Sequence, residues 1–504
     1  MEASTVQWIL YVSLASCLLY KLFLSTKPSS GNATRRPPGP APLPLLGNIL
    51  DLHGEPHHAL ARLAKTYGPV MSLRLGATDA IVASSAAAAR DVLQRHDHLL
   101  AARSVSDAGR ALRNHEHSVI WLPGDSPLWR RLRAVCTGHL FSPRGLDATR
   151  AAREAKAREL VAYLGSRRAG ETVDVGRVVF SCVLNVVSNV LFSEDVADLS
   201  SDRAQELEML VRDTVEEACK PNLSDLFPKL ARLDLQGRRR RSAELIGRFY
   251  DFFDAIIARR INGAGAGGEK GDFLDVLLQL RSQDQLSLQT IKSFLLDLFA
   301  AGTDTNAITV EWTMAELLRH PAAMSKVRAE LNDALGSKPC PDESDIDRLP
   351  YLRAVVMESM RLHPPSPMLM PHAAMAGGAE VGGYPVPAGT KVIVNLWAVM
   401  RDPAVWPDPE AFSPERFAGG AGGDAEFRGK ERLGFMPFGA GRRACPGKPM
   451  ATRVVTLLLA SLLHAFEWRL PEGMRPEDVD VRDRFGTSLN MVTPLRAVPV
   501  PVRR

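Results

Sequence analysis

The spacing of apolar residues predicts a mainly helical chain with a minor β region. Apolar and polar residues alternate over two short stretches within residues 71–83, as in half-buried strands. A helical pattern then dominates to about residue 335. Glycine, proline and β-branched residues at 377–394 and the pattern at 481–502 predict further strands, whereas 448–466 predicts a helix. The expected fold class is therefore α+β.

One predicted helix is long enough to cross the whole body. Ser287 is a suitable N-cap, and the apolar pattern continues to His320, where Pro321 stops it. At 1.5 Å per residue, such a helix spans roughly 50 Å. Its middle, residues 300–306, contains a glycine and four consecutive polar residues, which are unfavourable inside a buried helix. This break indicates a functional site, unless these side chains pack against another polar segment.

The N-terminus predicts a single membrane anchor. Residues 8–24 are apolar apart from Lys21, and basic residues follow rather than precede them, which places the rest of the chain on the cytosolic side. A cleaved signal peptide and a lipoprotein site are the alternatives, but both require a basic region before the apolar run. No later segment reaches the length of a span. We therefore expect an anchor at 1–26, a basic, proline-rich and stiff hinge at 27–48, and a catalytic domain at 49–504.

Composition restricts the possible classes of protein. The 504 residues are 45% hydrophobic and 24% charged, which is typical of a globular protein and excludes a collagen or a multi-span membrane protein. A net charge of +5 gives no indication of nucleic-acid binding. The six cysteines lack paired spacing, so free thiols in a reducing compartment are expected rather than a disulfide framework.

The strongest chemical signal is the loop at residues 438–447. It contains Cys445 beside two arginines and three glycines, immediately before a predicted helix, and we expect these neighbours to lower the thiol pKa. A lone cysteine cannot complete a zinc or iron–sulfur site, whereas haem brings four nitrogens and needs one protein ligand. The alternative is a structural cysteine, which would not need the glycines or the arginines.

These residues resemble the haem-binding loop of the cytochrome P450 superfamily, Phe-x-x-Gly-x-Arg-x-Cys-x-Gly. Residues 358–361 are similar to the Glu-x-x-Arg motif of that family, and 414–417 to its Pro-Glu-Arg-Phe motif. Residues 301–305 resemble the oxygen-activation segment, and 129–133 resemble the helix that contacts a haem propionate. The resemblance covers essentially the whole chain.

Further segments resemble the geraniol-hydroxylase-like family within the plant A-type branch. They are residues 121–129, 485–486 and 494–499, and residues 395–403 resemble the A-type branch as a whole. This resemblance implies oxidation of a monoterpenoid or diterpenoid in specialised or defence metabolism. One departure is His372, which stands where many plant relatives have arginine. A hydrogen bond to a propionate is still expected there, although its charge is open.

The resemblance implies a role for each matching residue. Cys445 is the expected iron ligand of haem b, and Thr305 with Asp304 is the expected catalytic pair that relays protons during oxygen activation. The expected cofactor contacts are Arg443, Trp129, Arg133, His372, Phe438, Gly439, Gly447 and Ala301. The expected substrate contacts are Val119, Ile120, Phe294, Leu298, Met368, Leu369 and Leu489. Glu358, Arg361 and Arg416 are the expected structural triad that supports the haem loop.

The implied activity is insertion of one oxygen atom from O2 into a C–H bond of a small hydrophobic substrate. The chain has no nucleotide-binding fingerprint after a strand, so NADPH is expected to act only through a separate reductase. Arg130, Arg131, Arg442 and Lys448 are the candidate basic surface for that partner, unless they are an ordinary solvated face. The expected location is the endoplasmic reticulum membrane. A non-terpenoid substrate, such as a fatty acid, alkaloid or xenobiotic, and a non-catalytic haem-thiolate sensor are the alternatives.

Overall fold

The computed structural model describes residues 36–168, 170–197, 202–263, 271–418 and 434–502, and most of them are helical. The helices that the argument uses are numbered in chain order. They are α1 (Pro56–Tyr67), α2 (Ala86–Arg90), α3 (Asp97–Leu100), α4 (Pro127–Val135), α5 (Pro143–Ala148), α6 (Arg150–Gly165), α7 (Val175–Phe192), α8 (Asp202–Cys219), α9 (Leu223–Leu226), α10 (Arg238–Asn262), α11 (Phe273–Ser282), α12 (Leu288–Arg319), α13 (Pro321–Leu335), α14 (Pro350–Leu362), α15 (Leu396–Val399) and α16 (Lys448–Ala465).

The strands are short and form four small sheets within the described ranges. They are β1 (Val70–Leu75), β2 (Thr78–Ala83), β3 (Ala102–Arg103), β4 (Val173–Asp174), β5 (His372–Ala373), β6 (Ala379–Val381), β7 (Tyr384–Val386), β8 (Lys391–Val394), β9 (Phe466–Arg469), β10 (Asp483–Arg484), β11 (Asn490–Met491) and β12 (Arg496–Pro501). The largest sheet has the order β1-β2-β8-β5-β3, in which only the β2–β8 pair is parallel. The predicted α+β class is therefore confirmed.

Helix α12 crosses the core, as its length predicts. It begins after Ser287, whose side chain accepts a hydrogen bond from the backbone N–H of Thr290, and it ends at Arg319 before Pro321. Most of its side chains are buried among α7, α14 and α16. The threonines in its polar middle donate to carbonyls one turn earlier, as Thr303 does to Phe299 at 2.8 Å. These bonds satisfy buried hydroxyl groups inside the helix.

Helix α7 corrects one sequence expectation. It is apolar and long enough to cross a membrane, with a mean hydropathy of 1.8 over 18 residues, although no such segment was expected after the N-terminus. Most of its residues are buried against α12 and α6. Hydrophobicity on all sides of this helix thus reflects a central position in the core.

The predicted anchor, residues 1–26, lies outside the described residues. Part of the predicted hinge is described, and it is attached to β1. The backbone N–H of Ser72 donates to the carbonyl of Pro38 at 2.8 Å, and Asn48 exchanges hydrogen bonds with Arg74. The chain from Pro37 onward therefore continues the edge of the first sheet.

Candidate active site

At two positions, the backbone of the cysteine loop has a conformation that only glycine adopts easily. Gly439 and Gly441 have φ values of 67° and 65°, in the left-handed region. A Cβ atom on Gly441 would also overlap the carbonyl oxygen of Leu93. The backbone N–H of Cys445 donates to the carbonyl of Phe438 at 2.9 Å, which closes the loop before α16 begins. The glycines thus fix the shape that carries the thiol.

The surroundings of Cys445 differ from the sequence expectation. The thiol is accessible but lies in a recess, where the burial of its charged form raises its pKa. The backbone N–H groups of Gly447 and Lys448 and the charge of Arg133 act in the opposite direction. The adjacent Arg442 and Arg443 do not lower the thiol pKa. Arg442 pairs with Asp97, and Arg443 donates to the backbone carbonyls of Ala101, Val119 and Leu122 instead.

The structure brings the three residues of the predicted structural triad together. Arg361 donates to both oxygens of Glu358, at 2.7 and 2.9 Å, and Arg416 donates to the same carboxylate at 3.3 Å. Arg361 also donates to the carbonyls of Met400, Pro409 and Ala411, so all five of its N–H groups are used. The triad therefore ties α14 to the segment that precedes the cysteine loop.

A largely apolar cavity of about 330 Å³ lies between α12 and the cysteine loop. Ala301, Asp304 and Thr305 form part of one wall, and Arg443 and Pro446 form part of another. The polar residues in the middle of α12 therefore include cavity-lining ones, and packing against another polar segment does not by itself explain them.

Three arginines face this cavity without a carboxylate partner anywhere in the described ranges: Arg103, Arg133 and Arg443. Burial is the main cause that lowers the pKa of each, to about 10 for Arg103 and about 9 for Arg443. The guanidinium carbons of Arg443 and Arg133 lie 4.7 and 5.7 Å from the ring centre of Trp129. Buried, unpaired cations of this kind require anionic groups in the cavity.

These residues fit a haem group. Arg103 Nε is buried and has no hydrogen-bond partner, which is the state expected of a donor that faces a propionate. The accessible thiol of Cys445 would supply the protein ligand for iron, and the three guanidinium groups would supply the countercharges for the two carboxylates. Arg103 was missed in the sequence, since it lies in a two-residue strand far from any recognised motif.

His372 is buried beside this arginine group. Its Nδ1 lies 2.6 Å from the carbonyl of Leu100, and burial lowers its pKa to about 3, helped by Arg103 and Arg443. A neutral ring that donates through Nδ1 has only an acceptor at Nε2. A hydrogen bond from His372 to a propionate therefore requires that the arriving carboxylate raise its pKa or that the ring exchange tautomers.

The predicted catalytic pair lies at the cavity wall. The hydroxyl of Thr305 donates to the carbonyl of Ala301 at 2.6 Å. Asp304 is buried, which raises its pKa, and it accepts a hydrogen bond from Ser488. A carboxyl group with a raised pKa holds a proton more readily than a solvated one, as a proton relay requires.

The predicted substrate contacts divide into two groups. Val119 and Ile120, with Ala301, line the cavity. The cavity lining does not include Phe294, Leu298, Met368, Leu369 or Leu489. Phe294 is fully buried against Phe273. The backbone N–H of Leu489 donates to the carbonyl of Pro365, and its own carbonyl accepts from the indole N–H of Trp312. Packing therefore explains both positions.

The cavity has further walls that sequence reasoning missed. Thr214, Val215 and Ala218 of α8, Leu245 and Ile246 of α10, and Met370, Thr487 and Ser488 also line it. Asp297 lines it too, two turns before Thr305. Its polar character within an apolar stretch of α12 was the available signal.

Comparison with known proteins agrees with this geometry. The family profile described as Cytochrome P450 matches residues 37–493. The rice protein Cytochrome P450 76M5 is 51% identical over 98% of this chain and 99% of its own length. Ent-cassadiene C11-alpha-hydroxylase 1 of rice is 45% identical over 100% of both chains, and Geraniol 8-hydroxylase of Catharanthus roseus is 44% identical over 97% and 99%.

The fold is also similar to a solved structure. A zebra fish cytochrome P450 with abiraterone superposes with a TM-score of 0.74 at 26% identity, covering 89% of this chain and 99% of that one. The chain belongs to the cytochrome P450 family. It is an oxidoreductase of the monooxygenase type that uses haem and receives electrons from a reductase.

Proposed function

We propose that this chain hydroxylates a terpenoid, with Cys445 as the iron ligand. The observation that carries the proposal is the cavity whose walls bring together Thr305, the residues flanking Cys445 and a largely apolar surface. Relatives named for geraniol and ent-cassadiene hydroxylation, at 44% and 45% identity, support a monoterpenoid or diterpenoid substrate. The biological role would then lie in specialised or defence metabolism.

Each residue near the cavity has a task in this proposal. When bound, haem supplies the redox chemistry that activates O2, and a thiolate ligand favours O–O cleavage. Arg103, Arg133 and Arg443 hold its carboxylates, and the triad of Glu358, Arg361 and Arg416 keeps the loop in place. Asp304 takes protons from solvent and Thr305 passes them on through its hydroxyl. The apolar walls exclude bulk water and leave the substrate's C–H bond as the group that reacts.

The cavity wall also supports a small lipophilic substrate with few polar groups. Val119, Ile120 and Ile246 offer apolar contacts, whereas Ser488 and Asp297 offer isolated polar ones. A hydrocarbon or a lightly oxygenated terpenoid matches this mixture, since apolar burial dominates binding and few polar groups need partners.

A reductase is proposed to dock beside the cysteine loop. Arg130 and Arg131 are exposed on α4, and their guanidinium groups donate to backbone carbonyls rather than to carboxylates. Arg442 is also exposed but pairs with Asp97 at 3.3 Å, which weakens its part in the surface. Lys448 begins α16 and is exposed. An acidic partner surface would be attracted to this face at low ionic strength.

The N-terminal anchor at 1–26 is proposed to hold the catalytic domain, which faces the cytosol, on the endoplasmic reticulum membrane. The attachment of residues 37–48 to β1 supports a fixed orientation, because the body then begins soon after the apolar run at residues 8–24. Deleting 1–26 should then release the protein from membranes while it keeps its haem. Loss of haem in every such preparation would contradict the separation.

Activity measurements test the substrate class. The full-length chain would be reconstituted in lipid vesicles with an NADPH–haemoprotein reductase and given geraniol, ent-cassadiene, lauric acid or a phenylurea under labelled O2. We expect a terpenoid product that carries one labelled oxygen atom, and no comparable product from lauric acid or the phenylurea. Turnover of only lauric acid or the phenylurea would contradict a terpenoid substrate. If none of the four compounds were turned over and none changed the haem spectrum, the non-catalytic sensor would be favoured instead.

The docking surface has its own test. Charge reversal of Arg130 and Arg131 to Glu should raise the KM for the reductase several-fold, with a weaker effect in high salt. Reversal of Arg475, an exposed arginine near the C-terminus, is the control. An equal response of both variants would argue against a specific basic face.

A further inference from the structure

Two histidines and an aspartate meet at a place that the proposed reaction does not use. His57 and His58 begin α1, and Asp483 begins β10. Their nearest ligand atoms all lie within 4.8 Å of one another. None of the three lines the cavity beside the cysteine loop. Histidine nitrogen and carboxylate oxygen are ordinary ligands of zinc.

Two of the three distances between ligand atoms in this cluster match the edges of a zinc tetrahedron, and the third is within 4.8 Å. Asp483 Oδ1 lies 3.3 Å from His57 Nε2 and 3.2 Å from His58 Nε2. Zinc bonds of about 2.0–2.2 Å at tetrahedral angles separate neighbouring ligand atoms by roughly 3.3–3.5 Å. Two ring nitrogens thus converge on one carboxylate oxygen at the spacing that a shared cation would produce.

The second observation is that the buried members have unsatisfied polar atoms. His57 is 0% exposed, and neither of its ring nitrogens, nor Asp483 Oδ1, has a hydrogen-bond partner among the described residues. Buried polar atoms without partners are rare in folded proteins and call for a missing ion, water or ligand. Here Nε2 of His57 and Oδ1 of Asp483 lie 3.3 Å apart without meeting the geometry of a hydrogen bond.

The surrounding side chains orient the two rings and bear on the charge of the cluster. The edge of Trp397 contacts both imidazoles, at centroid distances of 5.7 and 4.6 Å. The guanidinium carbon of Arg401 lies 4.1 Å from the ring centre of Trp397, and its positive charge disfavours a bound cation. Glu410 Oε2, 3.2 Å from Arg401 Nε, neutralises part of that charge. Glu55, which precedes α1, adds a negative charge at the same pocket.

We propose that His57, His58 and Asp483 bind a divalent cation of the zinc type. The fourth position faces the pocket that His58, Asp483 and Glu55 line, so water supplies the remaining ligand. His58 is 34% exposed, which gives the ion a path from solvent and lets the ring adjust its position.

The position of Asp483 gives this site a consequence. The ion would join α1 to the β10–β11 hairpin, in which Asp483 pairs with Met491. The same hairpin carries Thr487 and Ser488 into the cavity, and Ser488 donates to Asp304. Zinc therefore holds the base of the segment whose tip forms part of the cavity wall.

The test uses the untagged holoprotein, stripped with a chelator and then dialysed against buffered free zinc. We expect about one zinc per haem in the wild type by elemental analysis. His58→Ala and Asp483→Asn should each weaken zinc binding by ~10-fold or more. His53→Ala, which removes an exposed histidine a few residues away, should bind zinc as the wild type does. His58 is partly exposed, so that variant is expected to fold even if Asp483→Asn does not.

Hydrogen exchange then tests the link to the cavity. Zinc should slow the exchange of amides in residues 483–491 in the wild type and not in His58→Ala. Zinc that binds the wild type, His58→Ala and His53→Ala equally would be adventitious surface binding, and absence of zinc from the wild type would remove the site. Zinc bound at the site without any change in hairpin exchange would overturn its effect on the cavity wall.

Discussion

Arg361 and Glu358 form a completely buried ion pair, in which Nε and Nη2 of the arginine donate to the two carboxylate oxygens at 2.7 and 2.9 Å. The remaining donors of Arg361 bind three carbonyls in the segment between residues 400 and 411. A buried pair of this kind specifies geometry more than it adds stability, and it is costly to break. Its position therefore fixes the segment at residues 400–411 against α14.

Replacing Arg361 with Lys should destabilise the fold by about 3–5 kcal/mol, because Lys cannot reproduce five N–H donors and leaves buried acceptors unpaired. The haem-bound fraction should fall with the midpoint of thermal unfolding. Arg475→Lys is the control, since Arg475 pairs with Asp478 on the surface and its loss should cost less than about 1 kcal/mol. Equal losses in both variants would refute a special role for the buried pair.

Thr305→Ala should uncouple NADPH consumption from product formation. Without its hydroxyl, protons are misdirected and hydrogen peroxide is released, and a ~10²-fold loss of product per turnover corresponds to ~2.7 kcal/mol between the two outcomes. Substrate binding should change little. Thr303→Ala is matched to it, since Thr303 is fully buried on the same helix turn and does not line the cavity. Full coupling in Thr305→Ala would limit this residue to packing.

Asp297 should make stability depend on pH. Burial raises its pKa to about 7, against the hydrogen bond from Ser118 and the N–H groups of Ile120 and Val119. At pH values between the pKa of Asp297 in the unfolded chain and its pKa in the folded protein, the native state binds more protons than the unfolded state. The free energy of unfolding therefore falls as pH rises, by at most about 1.4 kcal/mol per pH unit. Asp297→Asn should lose this contribution.

Thermal unfolding between pH 5.5 and 8 would measure that difference. The stability of Asp297→Asn relative to the wild type should increase across this range and level off above pH 7. Asp333→Asn, at an exposed position on α13, should run parallel to the wild type. A difference between Asp297→Asn and the wild type that stays constant with pH would show that the carboxyl is not titrating there.

Arg103→Leu should weaken haem retention, because the guanidinium is buried at the cavity with its Nε unpartnered. Transfer of haem to apomyoglobin would measure the effect, which we expect to be ~10-fold or more in rate. Arg110→Leu, a change at an exposed arginine on the same segment, should transfer haem at the wild-type rate. Equal rates for all three proteins would remove Arg103 from the haem contacts.

The sequence predicted the elements whose signals are local. Ser287, Pro321 and the apolar spacing between them define α12, and glycine requirements are visible at Gly441. The sequence could not predict that α7 lies in the core, since its apolar composition alone is equally suited to a membrane. Arg103 and Ser488 reach the cavity only through tertiary packing, because each lies in a short element or a loop with no recognisable motif. The neighbours that act on the Cys445 thiol were likewise set by folding, which brings Arg133 from α4.

The most direct measurement is the absorption spectrum of the reduced, CO-bound protein with and without Cys445. The wild type should absorb at the position typical of a thiolate-ligated haem. Cys445→Ala should lose that band or lose haem, whereas Cys182→Ala, which removes a buried thiol whose charged neighbours are Glu159, Lys156 and Asp195, should keep it. A normal thiolate band in Cys445→Ala would contradict the assignment of the iron ligand and, with it, the proposed mechanism.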